Sequence, residues 1–499
     1  MLDNFLKKSW NPLIFRIFAT LGFLFALLIL YFGSLKLILD FNSNLIMLIL
    51  WVFWWPFLYI TLFFLGRFWC GFICPIGLAN EVGNSIRKTR KNLIVKYGWI
   101  PFVLFFFIVL WEQISGLFSS SRITLIFLSV FFISAFIIGM LLPRWGFCKS
   151  FCPIGTILGV FSRLSIIGVR TNKDICINCK TKECIRGGKV EPCPMFNYVP
   201  SLESNKDCLL CTNCIKNCPH NSAKLCFVKP GKEIINKMEL NLSESLFIIA
   251  LLGFEILLTS KGTQIFRIIN TNNIWIRAID FTFGIGLFIL IYFFITYVQS
   301  KVSKTPLKQN LILGGYVFLP LAFSIMFFLV VFGFITPLTN INESYIAISK
   351  YAILSIGTIW SIILARNFFN KKSFVYVLAI ILIISLWMFV LIPGPLNLFP
   401  DSSKVYLAKS GEVVQMKAFS MGFNPSVIKA KSGGYLDINI TNTDIIHTFD
   451  IDELGVQINL NGGESKKIRI NAIKPGKYEY YCNIPGHREA GMKGWLIIE

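Results

Sequence analysis

The chain contains fourteen cysteines and three histidines, the side chains best suited to binding metal. Eight of the cysteines form two runs in the middle of the sequence, and each run ends in a Cys-Pro pair. The runs are Cys176-x2-Cys179-x4-Cys184-x8-Cys193-Pro194 and Cys208-x2-Cys211-x2-Cys214-x3-Cys218-Pro219. The second run has the spacing that wraps a [4Fe–4S] cube and passes its fourth cysteine to another cluster. Cysteine pairs also bind zinc, but eight thiols that end in two Cys-Pro units favour two cubes.

The assignment of these eight thiols depends on how the two cubes share them. In two-cluster ferredoxins each cube takes its fourth thiolate from the other run. If this exchange applies here, one cube binds Cys176, Cys179, Cys184 and Cys218, and the other binds Cys193, Cys208, Cys211 and Cys214. Cys226 is left outside both sets and is predicted to be a buried thiol, and His220 is predicted to be structural.

Four further cysteines belong to an internal repeat. Cys70-Gly-Phe-Ile-Cys74-Pro75-Ile-Gly recurs as Cys148-Lys-Ser-Phe-Cys152-Pro153-Ile-Gly. Each copy follows a pair of apolar stretches, so both copies are expected at the same face of a membrane. Cys70, Cys74, Cys148 and Cys152 can bind a metal, exchange disulfides, or simply end helices and position the clusters, since proline interrupts a helix. The pattern slightly favours a redox or metal role.

A different set of metal ligands lies near the C-terminus. The segment Tyr481-Cys482-Asn-Ile-Pro-Gly-His487-Arg-Glu-Ala-Gly-Met492 has His447 upstream of it. A blue-copper centre uses two imidazoles and one thiolate in a plane, with a weak axial thioether. His447, Cys482, His487 and Met492 supply this set, which predicts one type 1 copper. Cys482 is the only cysteine of this region, so a binuclear copper site is excluded.

The elements that position these ligands are largely apolar. Of the 499 residues, 55% are hydrophobic and 15% are charged, which is too apolar for a soluble protein of this length. Nine apolar stretches are long enough, or nearly so, to cross a bilayer core of roughly 30 Å. They cover approximately residues 12–33, 44–66, 98–118, 122–142, 244–260, 274–297, 312–336, 345–365 and 374–393.

Basic residues predict the orientation in the membrane. Arg87, Lys88, Arg90, Lys91 and Lys96 follow the second stretch and mark that loop as cytoplasmic, because cytoplasmic loops are enriched in Lys and Arg. Counting spans then predicts a plasma (inner) membrane protein with a cytoplasmic cysteine-rich segment and a periplasmic or extracellular C-terminal domain. The same rule accounts for the net charge of +22 without nucleic acid as a partner. The fifth stretch is short and contains Glu255. If it does not cross the membrane, every later segment is predicted on the opposite side.

The last hundred residues differ in character. Apolar residues alternate with polar ones, as in Leu436-Asp-Ile438-Asn-Ile440, and glycine pairs separate such segments, which predicts a β-sandwich. The predicted fold is therefore a polytopic α-helical membrane protein with a two-cluster ferredoxin-like insert and a C-terminal all-β domain. The predicted domains are a four-helix region with duplicated Cys-x3-Cys-Pro hairpins, the cluster domain, a five-span region and the copper domain, at residues 1–168, 169–243, 244–395 and 396–499.

Two resemblances follow from these motifs. Residues 50–226, with two Cys-x3-Cys-Pro motifs before a two-cluster segment, resemble the membrane polyferredoxins of periplasmic nitrate and nitrous-oxide respiration, and the iron–sulfur proteins of cytochrome oxidase assembly share the pattern. Residues 403–499 resemble plastocyanin-like cupredoxin domains closely and the copper domain of cytochrome oxidase subunit II more loosely. The polyferredoxin resemblance implies electron transfer between the quinone pool or a cytoplasmic donor and a periplasmic metalloenzyme, or the reduction of copper for oxidase assembly. The additional spans and the copper domain depart from that family, so its partner does not carry over.

Two functions are expected from the sequence. The first is electron transfer between a cytoplasmic-side donor or quinol, the clusters and the external copper, which would supply an extracytoplasmic metalloenzyme or soluble carrier. The second is copper reduction and delivery during maturation of a copper enzyme such as an oxidase or nitrous-oxide reductase. A redox carrier is favoured over an enzyme with its own substrate, since no catalytic residues are evident, although quinol oxidation or Cu(II) reduction stays open. Three histidines leave no pair inside the membrane for a b-type haem.

Overall fold

The structure is a computed structural model of the chain, and its described residues form two compact units. One unit comprises residues 1–255, 281–332 and 342–384, and the other comprises residues 256–280, 333–341 and 385–499. The structure describes residues 12–34, 45–87, 98–115, 121–260, 274–335, 343–391, 406–408, 412–419, 422–442, 446–461, 463–472, 474–484, 487–488 and 492–499. Lys88, Arg90, Lys91 and Lys96, on which the predicted orientation depends, lie outside them.

The described N-terminal part of the chain is helical and contains the two Cys-Pro hairpins. A π-helical segment, Leu48–Trp54, leads directly into the second helix. The helices up to the cysteine-rich segment are α1 Pro12–Ser34, α2 Trp55–Leu65, α3 Phe68–Phe72, α4 Pro75–Arg87, α5 Ile100–Ser115, α6 Ser121–Leu141, α7 Gly146–Ser150 and α8 Pro153–Ser162. Pro75 and Pro153 each begin a helix, where the missing N–H costs no hydrogen bond.

Glycines allow two of these helices to approach closely. A Cβ atom on Gly83 of α4 would lie 2.2 Å from the carbonyl oxygen of Phe136 on α6. A Cβ on Gly139 of α6 would lie 2.4 Å from the carbonyl oxygen of Asn80 on α4. Small residues at such positions bring helix backbones together in membranes, where lipid offers no hydrophobic driving force between helices. The contact fixes the first Cys-Pro hairpin against α6.

The cysteine-rich segment is built from loops and very short helices. These are α9 Lys173–Ile177, α10 Glu183–Arg186, α11 Asn213–Lys216 and α12 Lys232–Ile235. Strands β1 Ile167–Arg170 and β2 Lys224–Phe227 pair antiparallel on either side of the cysteine runs. Cys226 lies on β2 and is half-buried, so the prediction of a buried thiol was wrong, because a two-stranded sheet leaves part of its surface open.

Longer helices follow the cysteine-rich segment. They are α13 Leu242–Ser260, α14 Ile274–Ser303, α15 Leu307–Val317, α16 Leu319–Ile335, α17 Glu343–Phe369 and α18 Phe374–Leu391. Asn370, with a φ of 50°, lies in the short 3-10 turn that separates α17 from α18. Residues of α15 and α16 are mostly buried by the protein.

The membrane-helical character predicted from the sequence is confirmed, but nine spans are not. Within the described ranges, six stretches are long and apolar enough to cross a bilayer, and the last of them contains both α17 and α18. These stretches are Pro12–Phe32, Leu45–Leu65, Ser121–Leu141, Phe281–Ser303, Leu307–Phe332 and Ile348–Ser385. Helices α5 and α13 occupy the third and fifth predicted stretches but are not among the six.

The second unit contains the C-terminal all-β domain. Its strands are β3 Tyr406–Leu407, β4 Val413–Phe419, β5 Gly422–Asn424, β6 Val427–Ala430, β7 Gly434–Asn442, β8 His447–Ile451, β9 Val456–Leu460, β10 Ser465–Ala472, β11 Gly476–Tyr481 and β12 Lys493–Ile498. They form a four-stranded sheet in the order β10-β7-β4-β5 and a six-stranded sheet in the order β3-β6-β12-β11-β8-β9. The predicted all-β C-terminal domain is therefore confirmed.

The core of this domain follows the alternation in the sequence. Leu436, Ile438 and Ile440 on β7 are buried, and so is Ile470 on the neighbouring β10. Because side chains of a strand alternate between its two faces, the polar residues between them face outward. The same buried cluster includes Cys482 and Met492, which places two of the candidate copper ligands in the rigid interior of the domain.

Candidate metal centres

Strand β8 and the segment between β11 and β12 bring together three of the four candidate copper ligands, His447, Cys482 and His487. His447 begins β8, and Cys482 directly follows β11. The Cys482 Sγ lies 3.4 Å from His487 Nδ1 and 3.9 Å from His447 Nδ1, and the two Nδ1 atoms are 3.2 Å apart. Two imidazole nitrogens and one sulfur facing a common point form the planar donor set that type 1 copper uses.

The fourth candidate ligand, Met492, is fully buried in the same core. Its backbone N–H donates to the carbonyl oxygen of His487 at 2.9 Å, and its own carbonyl accepts from the Cys482 N–H at 3.0 Å. These two hydrogen bonds connect the backbones of Cys482, His487 and Met492. The donor set therefore fits a single mononuclear copper, with Met492 as the residue available for an axial thioether.

The Cys482 sulfur also accepts a hydrogen bond from the protein backbone. The N–H of Thr448, which follows His447, lies 3.3 Å from Cys482 Sγ. Burial alone would raise the pKa of this thiol, but hydrogen bonding to His447, His487 and Thr448 outweighs burial and lowers the pKa of Cys482 to about 6. The side chain is therefore a thiolate at neutral pH, which is the form that binds metal.

The cysteine-rich segment gathers its eight thiols into two groups. We call Cys176, Cys179, Cys184 and Cys218 the first thiol set, and Cys193, Cys208, Cys211 and Cys214 the second thiol set. Burial raises the pKa of Cys184 to about 11, and the nearby thiols of Cys218, Cys176 and Cys179 add to the effect. Cys184 is therefore surrounded by the other three members of the first set, including the one from the distant run.

The second thiol set shows the same neighbourhood. Burial raises the pKa of Cys211 to about 12, with the thiols of Cys193 and Cys208 as further causes. Burial also raises the pKa of Cys214 well above its usual value, and Cys211, Cys208 and Cys193 contribute. Four crowded thiols, of which Cys208 and Cys214 are buried, cannot all ionise without a cation between them. Such a donor set suits the positively charged core of an iron–sulfur cube.

The backbone around both thiol sets is shaped to surround an anionic group. Lys182 lies between two cysteines of the first run, and Leu210 and Thr212 lie between cysteines of the second; all three have left-handed φ angles, of 46°, 51° and 63°. Alternation between left- and right-handed residues turns successive N–H groups to one side, which makes an anion-binding concavity. In the first thiol set, the backbone N–H of Ser222 donates to Cys218 Sγ at 3.1 Å.

The four cysteines of the repeat, which we call the hairpin cysteines, also lie together. Cys70 is on α3 and Cys148 on α7, whereas Cys74 and Cys152 directly precede α4 and α8. Burial raises the pKa of Cys148, and the thiols of Cys152, Cys74 and Cys70 raise it further. The two copies of the repeat thus meet at one place, as the sequence predicts.

The sequence did not predict several of the residues that lie around these centres. Arg67 is almost fully buried beside the thiols of Cys70 and Cys152. The repeat contained a signal for it, because an arginine precedes both copies: Arg67 comes three residues before Cys70, and Arg144 comes four residues before Cys148. Thr448 and Ser222 had no such signal, since their contacts to Cys482 and Cys218 form only on folding.

Comparison with known families identifies two kinds of domain in this chain. Residues 379–498 match the family model of the cupredoxin-like domain. Residues 47–93 and 124–170 match the family model of the 4Fe-4S binding domain. These two matches contain the hairpin cysteines rather than the runs at 176–218. The chain therefore combines ferredoxin-type 4Fe-4S binding segments with a cupredoxin-like domain in one membrane protein.

Relatives of both kinds exist among known proteins. An uncharacterised protein of Methanocaldococcus jannaschii is 25% identical over 170 residues, covering 31% of this chain and 63% of that protein. The putative electron transport protein YccM of Escherichia coli is 24% identical over 217 residues, covering 38% of this chain and 58% of that protein. Cytochrome c oxidase subunit 2 of Thermus thermophilus is 27% identical over 101 residues, covering 20% of this chain and 75% of that protein. The chain thus spans less than two thirds of the first two of these relatives.

Proposed function

We propose that this protein is a membrane-bound electron carrier that links two [4Fe–4S] clusters with one mononuclear copper and supplies a respiratory metalloenzyme. One observation carries the proposal: the chain contains two gathered sets of four cysteines and, in its other compact unit, a buried copper donor set. Each is a complete set of ligands for a one-electron centre. The comparisons support an electron-transfer protein with iron–sulfur and copper centres, and their 4Fe-4S match covers the hairpin cysteines, whereas the two thiol sets rest on their own spacing and grouping.

The spacing of the thiols favours iron–sulfur cubes over zinc. A single zinc ion holds each thiolate at about 2.3 Å, so its sulfurs lie roughly 4 Å apart. Among the residues that the structure describes, the three ligand atoms of His447, Cys482 and His487 form the group that lies within 4.8 Å. The two thiol sets are more widely spaced, as expected if a larger inorganic core fits between their sulfurs. We assign the first and the second thiol set to one cube each.

The burial of the copper ligands favours an electron carrier over a copper-delivery protein. His447, Cys482 and Met492 have no exposed surface, and His487 is 6% exposed. A rigid β-sandwich that encloses the ligands keeps their geometry similar in both oxidation states, so that electron exchange requires little rearrangement. A delivery site must instead open to release its ion. Copper when bound would supply one-electron redox chemistry, and the protein contributes the donor set and the exclusion of water.

The proposed orientation places the two kinds of centre on opposite sides of the membrane. It rests on the basic residues that follow the second apolar stretch, since positively charged loops stay in the cytoplasm. The clusters would then face a cytoplasmic-side donor, and the copper would face an extracytoplasmic enzyme or soluble carrier. A bilayer core of roughly 30 Å separates them. A bound quinol or a partner subunit is needed to bridge it, and the quinone prediction rests on the sequence argument alone.

An optical experiment distinguishes the carrier from the copper-delivery alternative. The purified protein should show the intense absorption of a copper–thiolate bond, and a quinol or low-potential reductant should bleach it. We expect reoxidation to restore the full band and gel filtration to show that all copper stayed with the protein. Loss of copper that parallels the bleaching would overturn the carrier proposal in favour of delivery. The Cys482→Ser variant, which lacks the thiolate, is the control for the band.

A further inference from the structure

The two hairpins present a problem of ligand number. Each one matches the 4Fe-4S binding family model, yet each contains only two cysteines: Cys70 and Cys74 in one, Cys148 and Cys152 in the other. A [4Fe–4S] cube needs four protein ligands. Neither hairpin can therefore bind a cube alone, and both matches lie outside the runs that supply the two thiol sets.

In the fold, the two hairpins lie together, so that their cysteines form one group. The thiol of Cys148 has the thiols of Cys152, Cys74 and Cys70 around it, so each hairpin contributes one pair to a single group of four. In the described part of the chain, three of these sulfurs do not come within 4.8 Å of one another. The two thiol sets share this feature, whereas a single zinc ion would hold its sulfurs roughly 4 Å apart.

Helix termini at the hairpins favour negative charge on the sulfurs. The N–H of Gly155, in the first turn of α8, donates to Cys152 Sγ at 3.2 Å. Cys74 stands in the same relation to α4, where the N–H groups of Ile76 and Gly77 face its sulfur. Unpaired N–H groups and the positive end of the helix dipole stabilise anions at such positions. The duplicated Cys-Pro unit therefore presents backbone N–H donors to the equivalent sulfur in each hairpin.

Arg67 provides a second and independent observation. Its side chain is 3% exposed, and its Nη1 donates to the Lys206 carbonyl at 3.2 Å and pairs with Asp207 at 3.5 Å. In the described residues, its Nε and Nη2 are buried with no oxygen or nitrogen acceptor in hydrogen-bond range, and the guanidinium interacts with the Cys70 thiol. Buried donors rarely lack acceptors, because desolvation without a hydrogen bond is costly. These donors lie beside Cys70 and Cys152.

The packing around Gly155 and Gly71, near the hairpin cysteines, leaves little space for a side chain. A Cβ on Gly155 would lie 2.9 Å from Arg67 Nη2 and 3.3 Å from Cys152 Sγ. A Cβ on Gly71, next to Cys70, would lie 2.2 Å from the Leu209 carbonyl oxygen. Glycine is therefore required at Gly71, where α3 touches the second cysteine run, and a side chain at position 155 would displace the Arg67 guanidinium.

We propose that the four hairpin cysteines together hold a third [4Fe–4S] cluster, shared between the two hairpins, with Arg67 as its buried counter-charge. A cube with four thiolates carries net negative charge, and the guanidinium beside it compensates part of this charge in a low-dielectric environment. The unpartnered Nε and Nη2 atoms then find acceptors among the sulfurs. The inference deepens the proposed function, because it adds a centre to the proposed chain of carriers.

The position of this third site makes it a continuation of the other two. One hydrophobic cluster, built around Met195 and Leu209, includes hairpin cysteines together with Cys193 and Cys211 of the second thiol set. The second set lies next to the first, because the Cys184 thiol is close enough to interact electrostatically with Cys214. The three sites therefore follow one another from the first thiol set to the ends of the membrane hairpins. Electrons moving among them would arrive next to the apolar helices.

Counting iron against copper tests the inference. Three cubes would give about twelve irons and about twelve acid-labile sulfides per copper, whereas two cubes would give about eight of each. We expect the higher ratio in the wild-type protein and the lower one in a Cys70→Ser/Cys148→Ser variant. The matched control Cys226→Ser, which removes a cysteine outside all three sets, should keep the wild-type ratio. A wild-type ratio near eight overturns the third cluster whether or not the variant folds.

A redox titration tests the role of Arg67 separately. Removing the cation by Arg67→Gln should shift one of three cluster signals, followed by electron paramagnetic resonance, to a lower midpoint potential, because the reduced cube loses its nearest positive charge. An unchanged potential for every cluster contradicts the counter-charge role. Bleaching of copper without copper loss in a protein with the lower iron ratio would remove the third cluster and keep the proposed function. A ratio near twelve irons per copper, together with copper loss on reduction, would keep the third cluster and overturn the proposed function.

Discussion

Substitution of Arg163 by methionine should destabilise the unit that contains the cysteine-rich segment. The Arg163 side chain is fully buried, and its Nε donates to Glu244 Oε1 at 2.7 Å. Its Nη1 pairs with Glu233 Oε2 at 3.3 Å and donates to the Met238 carbonyl at 3.2 Å. These partners lie in or next to α12 and α13, so Arg163 ties both helices to the end of α8.

The expected cost follows from the two carboxylates left behind. Glu244 is completely buried and, among the described residues, keeps Lys206 as its ion-pair partner at 2.6 Å, whereas Glu233 keeps hydrogen bonds and an electrostatic interaction with Arg170. Removing one partner of a buried ion pair typically costs about 3–5 kcal/mol, because an uncompensated charge stays buried. The second variant Arg163→Met/Glu244→Gln removes that charge, and we expect it to recover part of the loss.

Denaturant unfolding in detergent measures this effect. The iron–sulfur absorption reports on the unit that contains Arg163, and the copper–thiolate band reports on the other unit in the same sample. Lys173→Met is the matched control, since the Lys173–Glu203 pair is exposed and such pairs contribute only about 0–1 kcal/mol. Equal stability losses for Arg163→Met and Lys173→Met would refute the reasoning, and so would a double variant less stable than Arg163→Met.

Four further predictions concern the copper site and the helix contact. Met492→Leu should keep the blue absorption and raise the copper potential, because an axial thioether stabilises Cu(II) and its loss favours Cu(I); a redox titration that shows a lower potential contradicts this. Copper affinity, measured by competition with a chelator, should be nearly constant above the Cys482 pKa of about 6 and fall roughly tenfold or more per pH unit below it, since the protonated thiol must then lose its proton to bind copper. The depressed thiol pKa also contributes stability to the copper-free domain above the unfolded thiol pKa, and this contribution is lost as the pH falls through about 6. Gly83→Ala should cost about 1–3 kcal/mol because its Cβ would meet the Phe136 carbonyl, whereas Gly22→Ala, which meets nothing within 4 Å, should be neutral or slightly stabilising in a thermal melt.

The metal-ligand residues could be proposed from the sequence because their spacing is a local property. The interval from Cys482 to His487 and Met492 fits into one turn between two strands, and the cysteine runs wrap their sulfurs within a few residues. Chemistry restricts the alternatives, since few ions accept four thiolates or one thiolate with two imidazoles. The β alternation at Leu436, Ile438 and Ile440 was predictable for a similar reason, because a strand has a period of two.

The number of spans and the residues that support the sites were not predictable in this way. Hydropathy does not show whether an apolar stretch such as α13, which starts with the buried Glu244, crosses the membrane or packs within the protein. Arg67 faces the hairpin cysteines only because two hairpins distant in sequence meet. Thr448 reaches the candidate copper ligand Cys482 across two neighbouring strands. Such contacts depend on tertiary structure, and a single sequence does not encode them locally.

Sided reduction in proteoliposomes tests the central proposal that clusters and copper form one electron pathway. Digestion of a parallel sample with protease would identify preparations in which the cysteine-rich segment faces outward, and the undigested vesicles of that preparation, with the copper domain in the lumen under the proposed orientation, would be used for the measurement. A membrane-impermeant reductant added outside should bleach the lumenal copper band with no loss of copper, and a Cys208→Ser/Cys211→Ser variant should keep the band. Equal bleaching in both proteins, or bleaching only after copper has left, would contradict the account.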